Sequence, residues 1–175
     1  MNLSKRQLIL ITVVLAAALI ASVGVSVWAV FFRDRGEPIT PDYPPMGTEE
    51  NQKPLDEPPT PPASDAEGGG SINVTYSPRV TVDLSEGTVR LLYANPSVSN
   101  QNVAILLMIG DLVVAKSNLI TPGHGVENLP LEAYAANRLQ AGGYDGELVI
   151  RAYHPETQEK AMVDTRGRIT FTVVE

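Results

Sequence analysis

The sequence lacks several features on which whole classes of protein depend. It has no cysteine and a single tryptophan, and no cluster of basic side chains lies beyond its first 35 residues. Without cysteine there is no disulfide bond, thiol nucleophile or thiolate metal ligand, so a folded part must be stabilised by burial of apolar surface. The absence of a basic stripe argues against nucleic acid as a partner.

Motifs of the common enzyme classes are missing as well. The chain contains no zinc-protease HExxH, no nucleophile elbow, no P-loop, no dinucleotide fingerprint and no EF-hand loop. Its two histidines, His124 and His154, lie in separate predicted turns and form no metal-binding pair. Asp145 and Glu147 alternate along a predicted strand, where surface charge is a commoner role than acid–base catalysis. We predict no catalytic residue, no cofactor and no metal site, and an enzyme is the least favoured class.

What the chain does contain, first of all, is one long apolar segment. Residues 8–32 form a run of 25 residues without a charge, and roughly 20 apolar residues in a helix span the hydrocarbon core of a bilayer. Trp28 near its end and Arg33 just after it are typical of a membrane interface. We predict a transmembrane helix over residues 8–32, with residues 1–7 as a cytoplasmic tail and the C-terminal part outside the plasma membrane.

The alternative interpretation of this segment is a cleaved secretory signal. Lys5 and Arg6 would form its basic region, and small residues precede a cleavage point after Ala29. A signal normally has an apolar region of about 7 to 15 residues, whereas this run continues through Phe32. The sequence favours an uncleaved anchor but leaves cleavage after Ala29 open.

The next part of the chain, residues 33–70, has the composition of a disordered connector. Nine of the residues from 36 to 70 are proline, and eight are acidic against one basic. Such a composition buries too little apolar surface to fold, and proline-rich acidic chain is extended. We predict a disordered stalk that would reach about 100 Å when fully stretched at about 3.1 Å per residue.

Residues 71–175 change in character and predict an extracellular all-β domain. Short runs rich in Val, Ile, Leu and Thr are separated by Gly, Pro and Asn about every ten residues, which is typical of a β-sandwich. The segment from Arg79 to Leu84 alternates apolar and polar residues. The continuous apolar run from Val103 to Ile109 predicts a central strand that is buried on both faces. We expect about seven strands.

A local motif narrows the fold. Leu139, Gly142 and Tyr144 lead into the strand predicted at 146–153. This arrangement resembles the tyrosine corner of immunoglobulin-like and fibronectin type III domains, in which the Tyr hydroxyl bonds to backbone a few residues upstream. The resemblance implies an immunoglobulin-like β-sandwich and carries no catalytic residue.

The layout of the whole chain is similar to that of small membrane-anchored envelope proteins of Gram-positive bacteria. That resemblance rests on one N-terminal span, an acidic proline-rich connector and a cysteine-free domain with the Leu-x-x-Gly-x-Tyr motif. It implies non-catalytic binding of another envelope or surface protein, or a structural role at the cell envelope. An envelope polysaccharide, such as cell-wall glycan, is the alternative ligand.

The candidate binding surfaces are three loops, because immunoglobulin-like domains bind through end loops and strand edges. They are the loop at 95–102, the turn at 121–125 and the turn at 154–159. Their candidate partner-binding residues are Asn95, Ser97, Asn100, Asn102, His124, His154 and Glu156.

Overall fold

The structure is a computed structural model that describes residues 45, 47–57 and 70–175. All the described residues belong to one compact unit. The predicted membrane span at 8–32 lies outside the described residues. Within those residues, no helix has the length and apolar character needed to cross a bilayer.

The described residues form nine strands and one short helix, which confirms the prediction that this domain is mostly β-structure. The helix is α1 (Ala133–Ala136). The strands are β1 (Lys53–Pro54), β2 (Thr75–Tyr76), β3 (Arg79–Asp83), β4 (Thr88–Asn95), β5 (Asn102–Ile109), β6 (Leu112–Lys116), β7 (His124–Pro130), β8 (Gly142–Tyr153) and β9 (Thr165–Val174).

The strands follow the order β1-β7-β4-β3-β9-β8-β5-β6, with β2 added beside β4. All neighbours are antiparallel except β3 and β9, which run parallel with Val80 opposite Phe171. The parallel pair joins a β1-β7-β4-β3 half to a β9-β8-β5-β6 half. This arrangement is consistent with an immunoglobulin-like fold.

The core lies between these two halves. One buried cluster contains Val89 and Val126 from the first half together with Ile105 and Phe171 from the second, so the inner faces pack against each other. Alternation within the strands produces it, as in β4, where every second residue is buried. Every residue of β5 before Ile109 is buried, which confirms the prediction of a central strand covered on both faces.

One strand boundary differs from the sequence prediction. Strand β8 begins at Gly142 rather than at residue 146, because Gly142–Tyr144 already pair with β9. The last strand, β9, begins at Thr165, and before it Lys160 forms an isolated bridge to Tyr153.

The prediction of a disordered stalk across residues 33–70 is wrong for residues 47–57, which we call the strap. The Glu49 N–H donates to the Leu119 carbonyl at 2.8 Å, and the Leu55 N–H donates to the Gly123 carbonyl at 2.8 Å. Between them, β1 pairs with the start of β7. Backbone hydrogen bonds to an exposed sheet edge order this segment, although its own composition does not.

The tyrosine corner is confirmed. The Tyr144 hydroxyl donates to the Gln140 carbonyl at 3.0 Å, and the Gln140 N–H donates back to that hydroxyl at 3.4 Å. The bond joins the start of β8 to the residues that follow α1, as the resemblance implied.

Candidate functional site

The three predicted binding loops lie at one end of the domain. Asn95, at the end of β4, is opposite His124 at the start of β7. Asn102, at the start of β5, is opposite Tyr153 at the end of β8. Strand pairing therefore brings together the 95–102 loop, the 121–125 turn and the loop after Tyr153.

Most of the predicted residues in the first loop hold the fold together. Asn95 is fully buried, and its side-chain amide donates to the carbonyls of Gln101 at 3.1 Å and Ile120 at 3.0 Å. The Asn100 side chain accepts the Ser71 N–H at 2.7 Å. The Ser97 N–H donates to a carboxylate oxygen of Glu57 in the strap, and Asn102 is buried at the start of β5.

Both histidines also serve their own turns. His124 Nδ1 lies 2.9 Å from the Thr121 hydroxyl oxygen. His154 Nδ1 accepts the N–H groups of Glu156 at 3.3 Å and Thr157 at 3.2 Å. Of the seven predicted contact residues, all of which the structure describes, only Glu156 is exposed, and the other six are buried or half-buried. No group of three or more potential metal ligands occurs among the described residues.

A more open site lies on the outer face of β4. A cavity of about 530 Å³ is bounded on one side by residues 53–56 of the strap and on the other by residues 75–77. Leu92, Ala94 and Gly125 contribute to its floor. We call this cavity and its continuation along β4 the β4 groove.

The β4 groove continues towards the other end of the strand. A second cavity of about 710 Å³ shares Ser77, Leu92 and Glu127 with the first and extends to Thr88. The span from Thr88 to Ala94 is about 20 Å at 3.3 to 3.4 Å per strand residue. The site is thus a long, shallow channel parallel to a strand.

Leu92 is the apolar centre of the β4 groove, and the alternation of side chains along β4 explains its position. The pairing of β4 with β7 has a β-bulge at this point, with one extra residue on β4 between Arg90 and Tyr93. Leu92 is 63% exposed, although Leu91 and Tyr93 on either side are buried.

Close backbone approach allows the strap to form the wall of the groove. A Cβ added at Gly125 would lie 2.6 Å from the Tyr93 carbonyl oxygen and 3.0 Å from Leu55 Cδ2. Leu55 therefore sits over a position that only glycine can occupy without displacing it. An ion pair between Lys53 Nζ and Glu127 Oε2 at 2.7 Å holds the strap to β7 on the same side.

Among the described residues, some charged side chains along the β4 groove form ion pairs with one another, and others do not. Glu127 is paired with Lys53, and Glu86 is paired with Arg90 at 2.7 Å. Asp56 lines the first cavity, near Ala94, which we call the upper cavity. Arg79 lines the second cavity, near Thr88, which we call the lower cavity. Neither Arg79 nor Asp56 forms a side-chain ion pair with any residue that the structure describes.

Sequence reasoning missed the β4 groove because one of its walls comes from a segment that composition assigned to disorder. The alternation of apolar and polar residues in β4 does place Leu92 on the outer face of the strand. An outward-pointing leucine was the feature of the sequence that could have indicated the groove. A single exposed leucine is common on protein surfaces, so it singles out no site without its neighbours.

No protein-family model matches the chain, and no curated protein matches it at a significant level. The chain is similar in structure to the YadV chaperone (TM-score 0.37, 16% identity), with 58% of this chain and 50% of that chain covered. It thus spans about half the length of that structure.

Two further solved structures are similar to parts of the chain. One is the ligand binding region of Serine-glutamate repeat protein A of Enterococcus faecium (TM-score 0.32, 13% identity, covering 59% of this chain and 98% of that one). The other is AggA, the major subunit of aggregative adherence fimbriae type I from Escherichia coli (TM-score 0.32, 13% identity, covering 66% and 99%). These scores are too low to carry an argument about function.

Proposed function

We propose that this chain is a single-span protein of the plasma membrane that presents an immunoglobulin-like domain for non-catalytic binding of another envelope or surface protein. Its N-terminus is cytoplasmic and its C-terminal domain is extracellular. The charge-free run at residues 8–32 supports the span, and the layout of the chain supports a Gram-positive envelope. The observation that carries the binding role is the β4 groove with Leu92 exposed at its centre.

The geometry of the β4 groove suits a protein segment. It is open and elongated, it follows a strand, and its floor is apolar at Leu92 and Ala94 with polar groups along the sides. An extended peptide can lie along such a channel and place its side chains in it. It would bind through side chains, because β7 pairs with one edge of β4 and β2 and β3 pair with the other. The three loops stay candidate contacts at the end of the domain, and Glu156 is exposed in the third of them.

A polysaccharide ligand is less well supported. Sugar-binding surfaces stack the ligand on exposed aromatic rings, but Tyr93 and Tyr153 are buried. Tyr134 is 60% exposed, and the Arg138 guanidinium lies over its ring at 4.2 Å from the centroid. Tyr134 is thus the one tyrosine more than half exposed among the described residues, and its ring is partly covered, which favours protein over glycan.

Photocrosslinking in intact cells tests the proposed function. A photoreactive amino acid replaces Leu92 in one strain, Ser77 in a second and Tyr134 in a third, where Tyr134 is an exposed control outside the groove. We expect Leu92 and Ser77 to capture the same surface protein and Tyr134 not to capture it. Capture of wall polymer alone, or equal capture from all three positions, would contradict the proposal.

A further inference from the structure

The charges and shape of the β4 groove also indicate the chemistry of its partner. We propose that the groove binds an extended segment whose apolar side chain rests on Leu92, with an acidic side chain towards Arg79 and a basic side chain towards Asp56. This inference rests on the proposed function and adds the sequence character and the orientation of the bound segment.

The shape of the groove sets the conformation of the segment. The channel follows β4 for about 20 Å, which accommodates about six residues of extended chain. The strap pairs with β7 and residues 75–76 pair with β4, so the groove runs along these two neighbouring strands.

The apolar contact belongs at the middle of the groove. Leu92 is the one residue with a large apolar side chain more than half exposed among those that line either cavity. Burial of apolar surface is the main favourable term in most protein association, so a partner side chain on Leu92 provides the main apolar anchor. Leu92 lines both cavities and therefore divides the groove into two ends.

The two ends differ in charge. Arg79 lies only in the lower cavity, beyond Leu92, and Asp56 lies only in the upper cavity. The other charged groups that line the groove are matched within the domain, since Lys53 pairs with Glu127 and Arg90 with Glu86. Among the described residues, Arg79 and Asp56 have no ion-pair partner, so the groove presents one such cation and one such anion on opposite sides of an apolar centre.

Opposite charges at the two ends of the groove determine the direction in which a segment binds more than how tightly it binds. Complementary charges across an interface select the partner and its register, and like charges reject the reversed arrangement. A segment that runs acidic, apolar and basic from Arg79 to Asp56 matches the groove, and the same segment reversed places like charges together. This polarity distinguishes the site from a nonspecific apolar patch.

Selection from a displayed peptide library tests the inference. The full chain in lipid nanodiscs is the target, and the probe is a phage library of randomised eight-residue peptides. Parallel selections use wild type, Leu92→Asp, Arg79→Glu and Asp56→Lys. Arg168→Glu serves as the matched control, because Arg168 is an exposed arginine on β9 outside the groove.

We expect wild type and Arg168→Glu to enrich peptides with one large apolar residue between an acidic and a basic residue. Arg79→Glu should replace the acidic preference with a basic one and bind the wild-type peptides about tenfold more weakly. Asp56→Lys should reverse the basic preference, and Leu92→Asp should abolish enrichment. Enriched peptides that match a segment of this chain would support the same chemistry with a second copy as the partner.

The contradicting outcomes separate the two levels of proposal. This inference would be overturned if the enriched peptides depended on Leu92 but showed no charge preference. It would also be overturned if Arg79→Glu left their charge preference unchanged. In both cases the proposed function would still stand. Enrichment that Leu92→Asp does not reduce would remove the β4 groove as a binding site, and both proposals would fail.

Discussion

At the scale of single residues, the core carries one polar group that it does not satisfy. Tyr93 is 3% exposed and lies in the main apolar cluster. Its hydroxyl has no hydrogen-bond partner among the described residues. Burial disfavours the phenolate and raises the pKa of Tyr93 above its ordinary value of 10.0. A buried hydroxyl without a partner costs stability, because folding removes its hydrogen bonds to water.

We expect Tyr93→Phe to raise the free energy of unfolding by about 1 kcal/mol at neutral pH, because it removes that hydroxyl. The difference in free energy of unfolding between Tyr93→Phe and wild type should increase above about pH 10. There the unfolded wild type ionises Tyr93, while the folded state keeps it neutral. Denaturant unfolding of the full chain in detergent at neutral and alkaline pH measures both effects. Tyr134→Phe is the exposed control, and equal stabilities of wild type and Tyr93→Phe would contradict the prediction.

At the scale of elements, the strap supplies a short edge strand from a segment that resembles a linker. Glu49 is its buried anchor, with 6% of its surface exposed. One carboxylate oxygen accepts the Asn118 N–H at 2.7 Å, and the other accepts the backbone and side-chain N–H groups of Asn51 at 3.1 Å. An acidic segment of the predicted connector thus becomes part of the fold through polar contacts.

We expect Glu49→Ala to lower the free energy of unfolding by about 1 to 3 kcal/mol, because it leaves half-buried N–H donors without an acceptor. Glu50→Ala, at the exposed neighbouring position, should have little effect. Denaturant unfolding measures the stabilities, and hydrogen exchange at Asn118 and Leu119 should accelerate in Glu49→Ala alone. Equal behaviour of the two variants would mean that the strap does not stabilise the domain.

At the scale of the whole molecule, the strap shortens the connector that the sequence predicts over residues 33–70. Residues 47–57 belong to the folded domain, so the connector that precedes the strap is residues 33–46. A chain of that length reaches about 43 Å at about 3.1 Å per residue, compared with about 100 Å for the whole predicted stalk.

We expect a dye on the domain to transfer energy efficiently to acceptor lipids in nanodiscs. The chain has no cysteine, so Tyr134→Cys gives a single labelling position. Inserting about 20 flexible residues after Gly36 should reduce the transfer, since chain reach grows with length. Weak transfer in both chains would restore the long stalk, and a mature N-terminus at Val30 would replace the anchor with a cleaved signal.

Much of the fold was accessible from the sequence, because strands and corners are local patterns. The alternation from Arg79 to Leu84, the apolar run of β5 and the Tyr144 motif each depend on a few consecutive residues. The candidate site was accessible only in part. The sequence placed three loops correctly between strands but could not show that Asn95 and His124 bond within them.

The sequence by itself determined the strand-rich character of the domain and the tyrosine corner, since side-chain periodicity and neighbouring residues set them. Tertiary structure alone decided that the strap joins β7 and that Leu92 faces an open groove. The physical reason is that residues 47–57 bury little apolar surface of their own and gain order from hydrogen bonds to Leu119 and Gly123, far along the chain. Composition cannot report partners at that separation, because they become neighbours only when the sheet has formed.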